Sequence, residues 1–341
     1  METGRGDGAA ASGVGPDALP ADLVWHYTDG PGLLAILSTH TLWATAASFL
    51  NDREEVVLGG RMVVDRVLEL AGERDGPMAA DLAEKVREST ERGEGPGAGS
   101  AFVLSASRSP DSLAMWRLYG GARESYAIGL DPTAPLAALA HRELDVAWGI
   151  GEGVYLRHQG WRPVRYDRGE QLELVDAALA MLGDLAGGFG PDLFDREPGV
   201  EPGAAPSPEL RAHLEAHLEP FLEALHEVLL LVKHPGFVDE RETRYSAMLI
   251  TRPGEDALRA EAALLSYRAS AYGIAPYLRL TGAGPESPDA LVVTAPAPLP
   301  VRAVALSPSP NGPEATASVR QLLLANGYDV PVGRSAIPFR G

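Results

Sequence analysis

Two long stretches with helical spacing, residues 170–187 and 208–232, lie between two groups of short apolar runs, and this order limits the fold more than any other feature. In the second stretch Leu210, Leu214, Leu218, Leu222, Leu225 and Leu229 form one stripe, which Pro220 is expected to kink or split. Before them, Leu23–Tyr27, Leu42–Ala44, Ala101–Ser107 and Tyr126–Leu130 read as strands. After them come Arg244–Thr251, Leu264–Tyr267, Leu278–Leu280, Ala290–Thr294 and Val301–Leu306. Helices are expected around Leu33–Leu37, over 53–71 and 78–92, over Leu113–Tyr119 with Asp111 as cap, and over Glu314–Asn326 ended by Gly327. Short strands early and late with helices between make an α+β pattern, without the regular alternation of a doubly wound sheet. The expected architecture is compact mixed and antiparallel sheets in one domain over 21–341, with a helical insertion at about 165–235. Residues 1–20 are small, polar and glycine-rich and are expected to be a disordered tail.

Composition removes several function classes. Cysteine is absent, which excludes disulfides, zinc fingers, iron–sulfur clusters and thiol nucleophiles and fits a cytoplasmic location. Lys+Arg is 29 against Asp+Glu 47, a formal charge of −18, so non-specific binding to nucleic acid or anionic membrane is disfavoured. Lys85 and Lys233 are the only lysines. No run approaches the roughly 18 apolar residues of a membrane span, and no membrane partner is expected.

The motifs are read against ordinary structural roles. GEGPGAGS and GAGP match no phosphate-cradling pattern and read as loops. His213 and His217 share a helix face, but Leu214 stands where a metalloprotease helix needs Glu, and His226 falls roughly opposite. No metal site is expected. No GxSxG elbow occurs, and Ser105 and Ser107 have no assignable His or Asp partner. In DERETRYSAML, strand alternation would put Glu240, Glu242 and Arg244 on one face, with the carboxylates about 6–7 Å apart. Such a pair beside a guanidinium can stabilise a developing cation at a sugar carbon, or it can be an exposed acidic edge strand. His26-Tyr27-Thr28 ends an apolar strand, where a histidine can bond a ligand hydroxyl and a tyrosine can stack, or both can serve the core.

Taken in order, the segments WHYTDGPGLLAILSTHTLWATAASFLNDREE, FVLSASRSPDSLAMWRLYGG, ERETR, SYRASAYGIAPYLRL and SAIPFR resemble the bacterial family called domain of unknown function 2971 (DUF2971), over about Trp25–Arg340. Arg53 stands where that family often has proline and Thr243 where it has an aromatic. Residues 140–230 carry none of its signatures and look like a lineage-specific helical insertion. The opening block, strand, His-Tyr-Thr, turn, short helix and strand, also resembles that of the ADP-ribosyltransferase superfamily.

That second resemblance implies NAD as substrate, cleavage of the nicotinamide–ribose bond, and a bacterial defence role. Glu242 would stabilise the oxocarbenium-like centre and Glu240 would polarise the acceptor. His26 would bind ribose, Tyr27 or Tyr119 would stack, and Thr28 and Ser105 would bond the amide or ribose. Arg244, Arg268 or Arg340 would meet the pyrophosphate, a task that suits arginine's bidentate fork. Asn51 and Asp52 would organise a turn. The alternatives are a non-catalytic nucleotide- or protein-binding module of the same family, and a glycoside hydrolase needing a second carboxylate from Asp52, Glu54 or Glu55. The acceptor, whether protein, small molecule, nucleic acid or water, is not legible.

Overall fold

The structure is a computed structural model. It describes residues 19–49, 53–73, 99–119, 124–144, 154–189, 219–251, 255–271, 273–284, 288–309 and 311–338, with isolated positions at 15, 87, 216, 217 and 286. The expected helix at 78–92, most of the 1–20 tail, Asn51, Asp52, His213 and Arg340 lie outside the described residues. The fold is mixed α+β, with twelve strands paired mostly antiparallel among the described residues. The chain divides into two compact units, each discontinuous in sequence.

The first unit comprises residues up to Thr41, Ala106–Ala134 and Pro296 onward. Strand β1 (Val24–Asp29) leads directly into helix α1 (Gly30–Thr39). Asp29 caps this helix, its Oδ1 accepting from Gly32 N at 2.8 Å, and Pro31 fits the first turn because its missing N–H has no partner there anyway. Around β1 pair the end of β3 (Gly99–Ser107), β4 (Ser125–Leu130), β11 (Val301–Leu306) and, parallel to β11, β12 (Val332–Arg334). Alternation along β1 sends Trp25 and Tyr27 into a core with Leu23, Ala127, Ala303, Ala305 and, from α3 (Leu113–Tyr119), Met115 and Trp116. Leu19, assigned to the tail by composition, belongs to this core. Helix α7 (Gly312–Ala325), which begins two residues earlier than expected, ends at Gly327 with φ 84°, the left-handed backbone its glycine permits. His40, the left-handed cap of α1, bonds Tyr328 Oη at 2.8 Å and so ties the ends of α1 and α7 together.

Asp111 does not cap α3 as expected. The backbone N–H of Met115 finds Ser112 Oγ instead, while Asp111 accepts from Trp116 Nε1 at 2.8 Å, Ser335 Oγ at 2.6 Å and Ala336 N at 2.9 Å. It therefore pins the closing segment to the helix, a contact 224 residues apart in sequence that local patterning does not contain.

The second unit comprises Leu42–Ser105 and Pro135–Ala295. Here β2 (Leu42–Ala46) pairs with β3 and β9 (Gly273–Gly282). The far edge of β9 carries β5 (Leu136–Leu139), extended by β10 (Val292–Val293), and β8 (Leu265–Ser270), which follows α6 (Glu255–Leu264). On the other side β7 (Glu242–Thr251) pairs with β3 and with β6 (Val154–Pro163). Helices α2 (Arg53–Glu73), α4 (Arg168–Phe189) and α5 (Glu219–Leu231) bury Met62, Val67, Val175, Phe221, Leu225 and Val228 in a core of their own. Of these, α4 and α5 fall within 165–235, and α2 joins them from residues 53–73. Pro220 stands in the first turn of α5, where it costs no hydrogen bond; most of the expected helix before it lies outside the described residues.

The middle of the chain is not wholly helical: β6 is a ten-residue strand. A bulge at Gly160 (φ 68°) shifts its register against β7 between His158 and Gly160.

Candidate functional site

The structure gathers four of the expected residues, Ser105, Glu240, Glu242 and Arg244, in the second unit. They surround a fifth that was not expected, Lys233. The local chain explains how. Val232 bridges Arg165 in parallel, and Gln171 Nε2 donates to the carbonyls of both Arg165 and Lys233 at 2.9 Å, which fixes the backbone at Lys233. Pro235–Glu240 is a 3₁₀ turn, capped by His234 Nδ1, which accepts from Gly236 N at 3.0 Å. It ends at Arg241 in the left-handed region, φ 45°.

Glu240 therefore belongs to the turn, not to the strand, and the expected three-residue alternation holds only for Glu242 and Arg244. Nor is the strand an exposed edge, because β7 lies between β3 and β6. Lys233, Glu240, Glu242 and Arg244 are all at least nine-tenths buried.

Lys233 Nζ donates to Glu240 Oε2 at 2.8 Å and to Glu242 Oε2 at 2.9 Å, and sits 4.9 Å from the Phe237 ring centre. Arg244 donates to Glu242 through Nε at 2.8 Å and Nη2 at 2.9 Å, and to Leu230 O through Nη1 at 2.6 Å. The Ser105 hydroxyl adds a further hydrogen bond to the Glu242 carboxylate. Two cations and two anions make a neutral, buried quartet. Burial alone would raise the Glu242 pKa; Arg244, then Lys233 and Ser105, outweigh it and hold the carboxyl at about 2. These donors fill the roughly four acceptor positions of a carboxylate.

The other expected residues are placed as follows. In the first unit, His26 and Thr28 share the half-buried face of β1 opposite the Trp25–Tyr27 core. The first turn of α1 rests on Thr28, where a Cβ at Gly32 would collide with Thr28 Oγ1. Tyr27 is built into the core. Its ring meets Trp116 edge-on at 4.5 Å, and its hydroxyl donates to Ser109 O at 2.8 Å and accepts from Ser112 N at 3.1 Å. Of the two candidate stacking tyrosines, Tyr119, at 41% exposure, is therefore the one that presents its ring to solvent. In the second unit, Arg268 is exposed and donates through Nη2 to Thr45 Oγ1 at 3.1 Å. His226 is buried in α5. Among the described residues no group of three or more His, Asp or Glu side chains is arranged to hold a metal. No helix among them is long and apolar enough to cross a membrane.

Sequence reasoning missed Lys233. The available signal was its rarity, one of two lysines in 341 residues, placed seven residues before Glu240 and nine before Glu242.

A second group, half-buried at His158 and buried at Tyr245, sits nearby on β6 and β7. His158 Nε2 donates to Leu291 O at 3.1 Å, so Nδ1 is the acceptor and takes the Tyr245 hydroxyl at 2.7 Å. Burial lowers the His158 pKa to about 4. Both shifts have the same sign: unfolded, each group binds a proton at a pH where the folded one does not. Stability is therefore lost as pH falls from the ordinary 6.5 toward about 4 for His158, and from 4.5 toward about 2 for Glu242. His158 alone should cost about 2 kcal/mol between pH 7 and pH 5. Urea unfolding across that interval checks this, and a level profile would contradict a neutral His158 held between Leu291 O and Tyr245.

In comparison with known proteins, no family model matches the chain, nor does any curated protein or solved structure.

Proposed function

We propose that the chain binds NAD and acts on it, as an ADP-ribosyltransferase or NAD glycohydrolase. The observation that carries the reading is on β1. Alternation sets His26 and Thr28 together on one half-buried face, the pair needed for a ribose hydroxyl and a nicotinamide amide, while Trp25 and Tyr27 supply the core that fixes them. Glu242, ionised at any pH above about 2 and paired with Arg244 and Lys233, is the acid that the reading assigns to the reaction's cationic centre. NAD is the substrate and no metal takes part. The order of residues resembling DUF2971 and the ADP-ribosyltransferases supports the same reading.

One observation favours the second reading, a non-catalytic nucleotide- or protein-binding module. The acceptor positions of Glu242 are occupied by Arg244, Lys233 and Ser105, so a ribose hydroxyl must displace one of them. In that reading the quartet is a structural clamp.

Incubation with NAD, followed by chromatography for free nicotinamide, separates the two. Nicotinamide release that Glu242→Gln abolishes, with the variant's folding checked by circular dichroism, is the result expected of the enzyme. Saturable NAD binding without release leaves the module. Absence of both binding and release overturns the NAD reading altogether.

A further inference from the structure

One face of β8, β9 and β2, wholly within the second unit, combines exposed aromatic surface with arginine. Register puts Trp43 opposite Arg279, Thr45 opposite Tyr277, Ser266 opposite Tyr277 and Arg268 opposite Ala275, so these side chains point the same way. Trp43 stacks on Tyr277 with centroids 4.5 Å apart and planes at 30°, yet is 46% exposed, which leaves its outer ring face to solvent. A large, half-exposed tryptophan held rigidly from below is a stacking platform.

The two arginines are held in place without being neutralised. Arg268 reaches across β9 to Thr45 Oγ1. Arg279 Nη2 donates to Leu139 O at 3.3 Å and to His141 Nδ1 at 3.0 Å, while its Nε is buried with no acceptor. Because arginine only donates, His141 Nδ1 is the acceptor, and Nε2 carries the proton given to Leu265 O or Ser266 Oγ. Among the described residues no carboxylate pairs with either arginine. In a chain of net charge −18, two guanidinium groups with no carboxylate partner among the described residues, beside an open indole, are an anomaly that an anionic ligand would resolve.

We propose that this face binds a nucleoside phosphate, its base on the outer face of Trp43 and its phosphate between Arg268 and Arg279. Trp43 and Arg279 hold directly opposed positions on β2 and β9, so their Cβ atoms lie about 5 Å apart on this face. The net negative charge works against a long polyanion and leaves a small ligand as the fitting class. The inference shares with the NAD reading the expectation that Arg268 meets phosphate, and it requires no catalysis.

Equilibrium dialysis with AMP tests it, using the full chain. AMP should bind more tightly than adenosine or orthophosphate alone. Trp43→Ala and Arg268→Ala should each weaken AMP binding by about tenfold or more, and Trp43→Phe should restore most of the loss. Both side chains are exposed, so the variants are expected to keep the wild-type melting midpoint, measured alongside. Undetectable AMP binding, or AMP binding unchanged in Trp43→Ala, overturns the proposal. If AMP binds as described while NAD yields no nicotinamide, this site stands and the enzyme reading falls; nicotinamide release that Trp43→Ala leaves untouched, with AMP binding unchanged, gives the reverse.

Discussion

Lys233→Met lowers the free energy of unfolding by about 3–5 kcal/mol, the effect typical of removing one partner from a buried ion pair. The lysine has no solvent to replace it. Its ammonium lies between two carboxylates, Glu240 and Glu242, whose side chains are 7% and 5% exposed. Methionine fills similar volume, so the loss is electrostatic and not a cavity. Arg244 remains to hold Glu242, but Glu240 loses the cation beside it while staying buried, which raises the energy of the fold. By contrast, Arg302→Ala breaks an ion pair with Asp131 whose arginine is 61% exposed, and should change stability by about 1 kcal/mol or less. Urea unfolding of the two variants side by side is the measurement. A Lys233→Met loss no larger than that of Arg302→Ala would mean that the quartet is not the clamp described. The same argument applies to Glu242→Gln: a lost activity in that variant counts as chemistry only when its folded fraction has been measured.

Gly59→Ala is the second large effect, and propensity alone predicts its sign wrongly. Within a helix, alanine is favoured over glycine by about 1 kcal/mol. Gly59 lies in α2, however, where α5 crosses so closely that a Cβ would stand 2.8 Å from Val228 O and 3.0 Å from Leu229 Cα. Both are backbone atoms and cannot rotate away. Overpacking of this kind costs typically 1–3 kcal/mol and more when backbone must shift, so the net effect is a loss of about 2 kcal/mol. It falls on the helical core of Met62, Val67, Val175 and Phe221. A thermal midpoint equal to or above the wild type would show that α2 and α5 do not approach as described.

Much of the architecture follows from local chemistry. The Asp29–Gly32 turn carries its own cap and helix start, and β1 and α1 form as the residues specify. Strand β11 spans Val301–Leu306 because a nearly continuous apolar run between Pro300 and Pro308 leaves little other choice. Strand β6 was hidden because its middle is polar. Arg157 pairs with Glu223, Arg162 with Glu227, and Gln159 Oε1 accepts from Ser246 Oγ, so every polar group that argued against a strand is answered by α5 or β7. Those partners lie more than 60 residues away, where no local window reaches.

The acidic motif divides the same way. Residue types and spacing alone put Glu242 and Arg244 on one strand face, because alternation is a property of the extended backbone. That their charges are buried, that Lys233 completes a neutral quartet, and that Ser105 from β3 closes the Glu242 shell were decided only when separate segments packed. The same holds for the Trp43 face, which joins β2 to β8 and β9 from more than 200 residues later in the chain. Periodicity is written in neighbouring residues, whereas burial and charge pairing depend on distances through space that a linear chain does not contain.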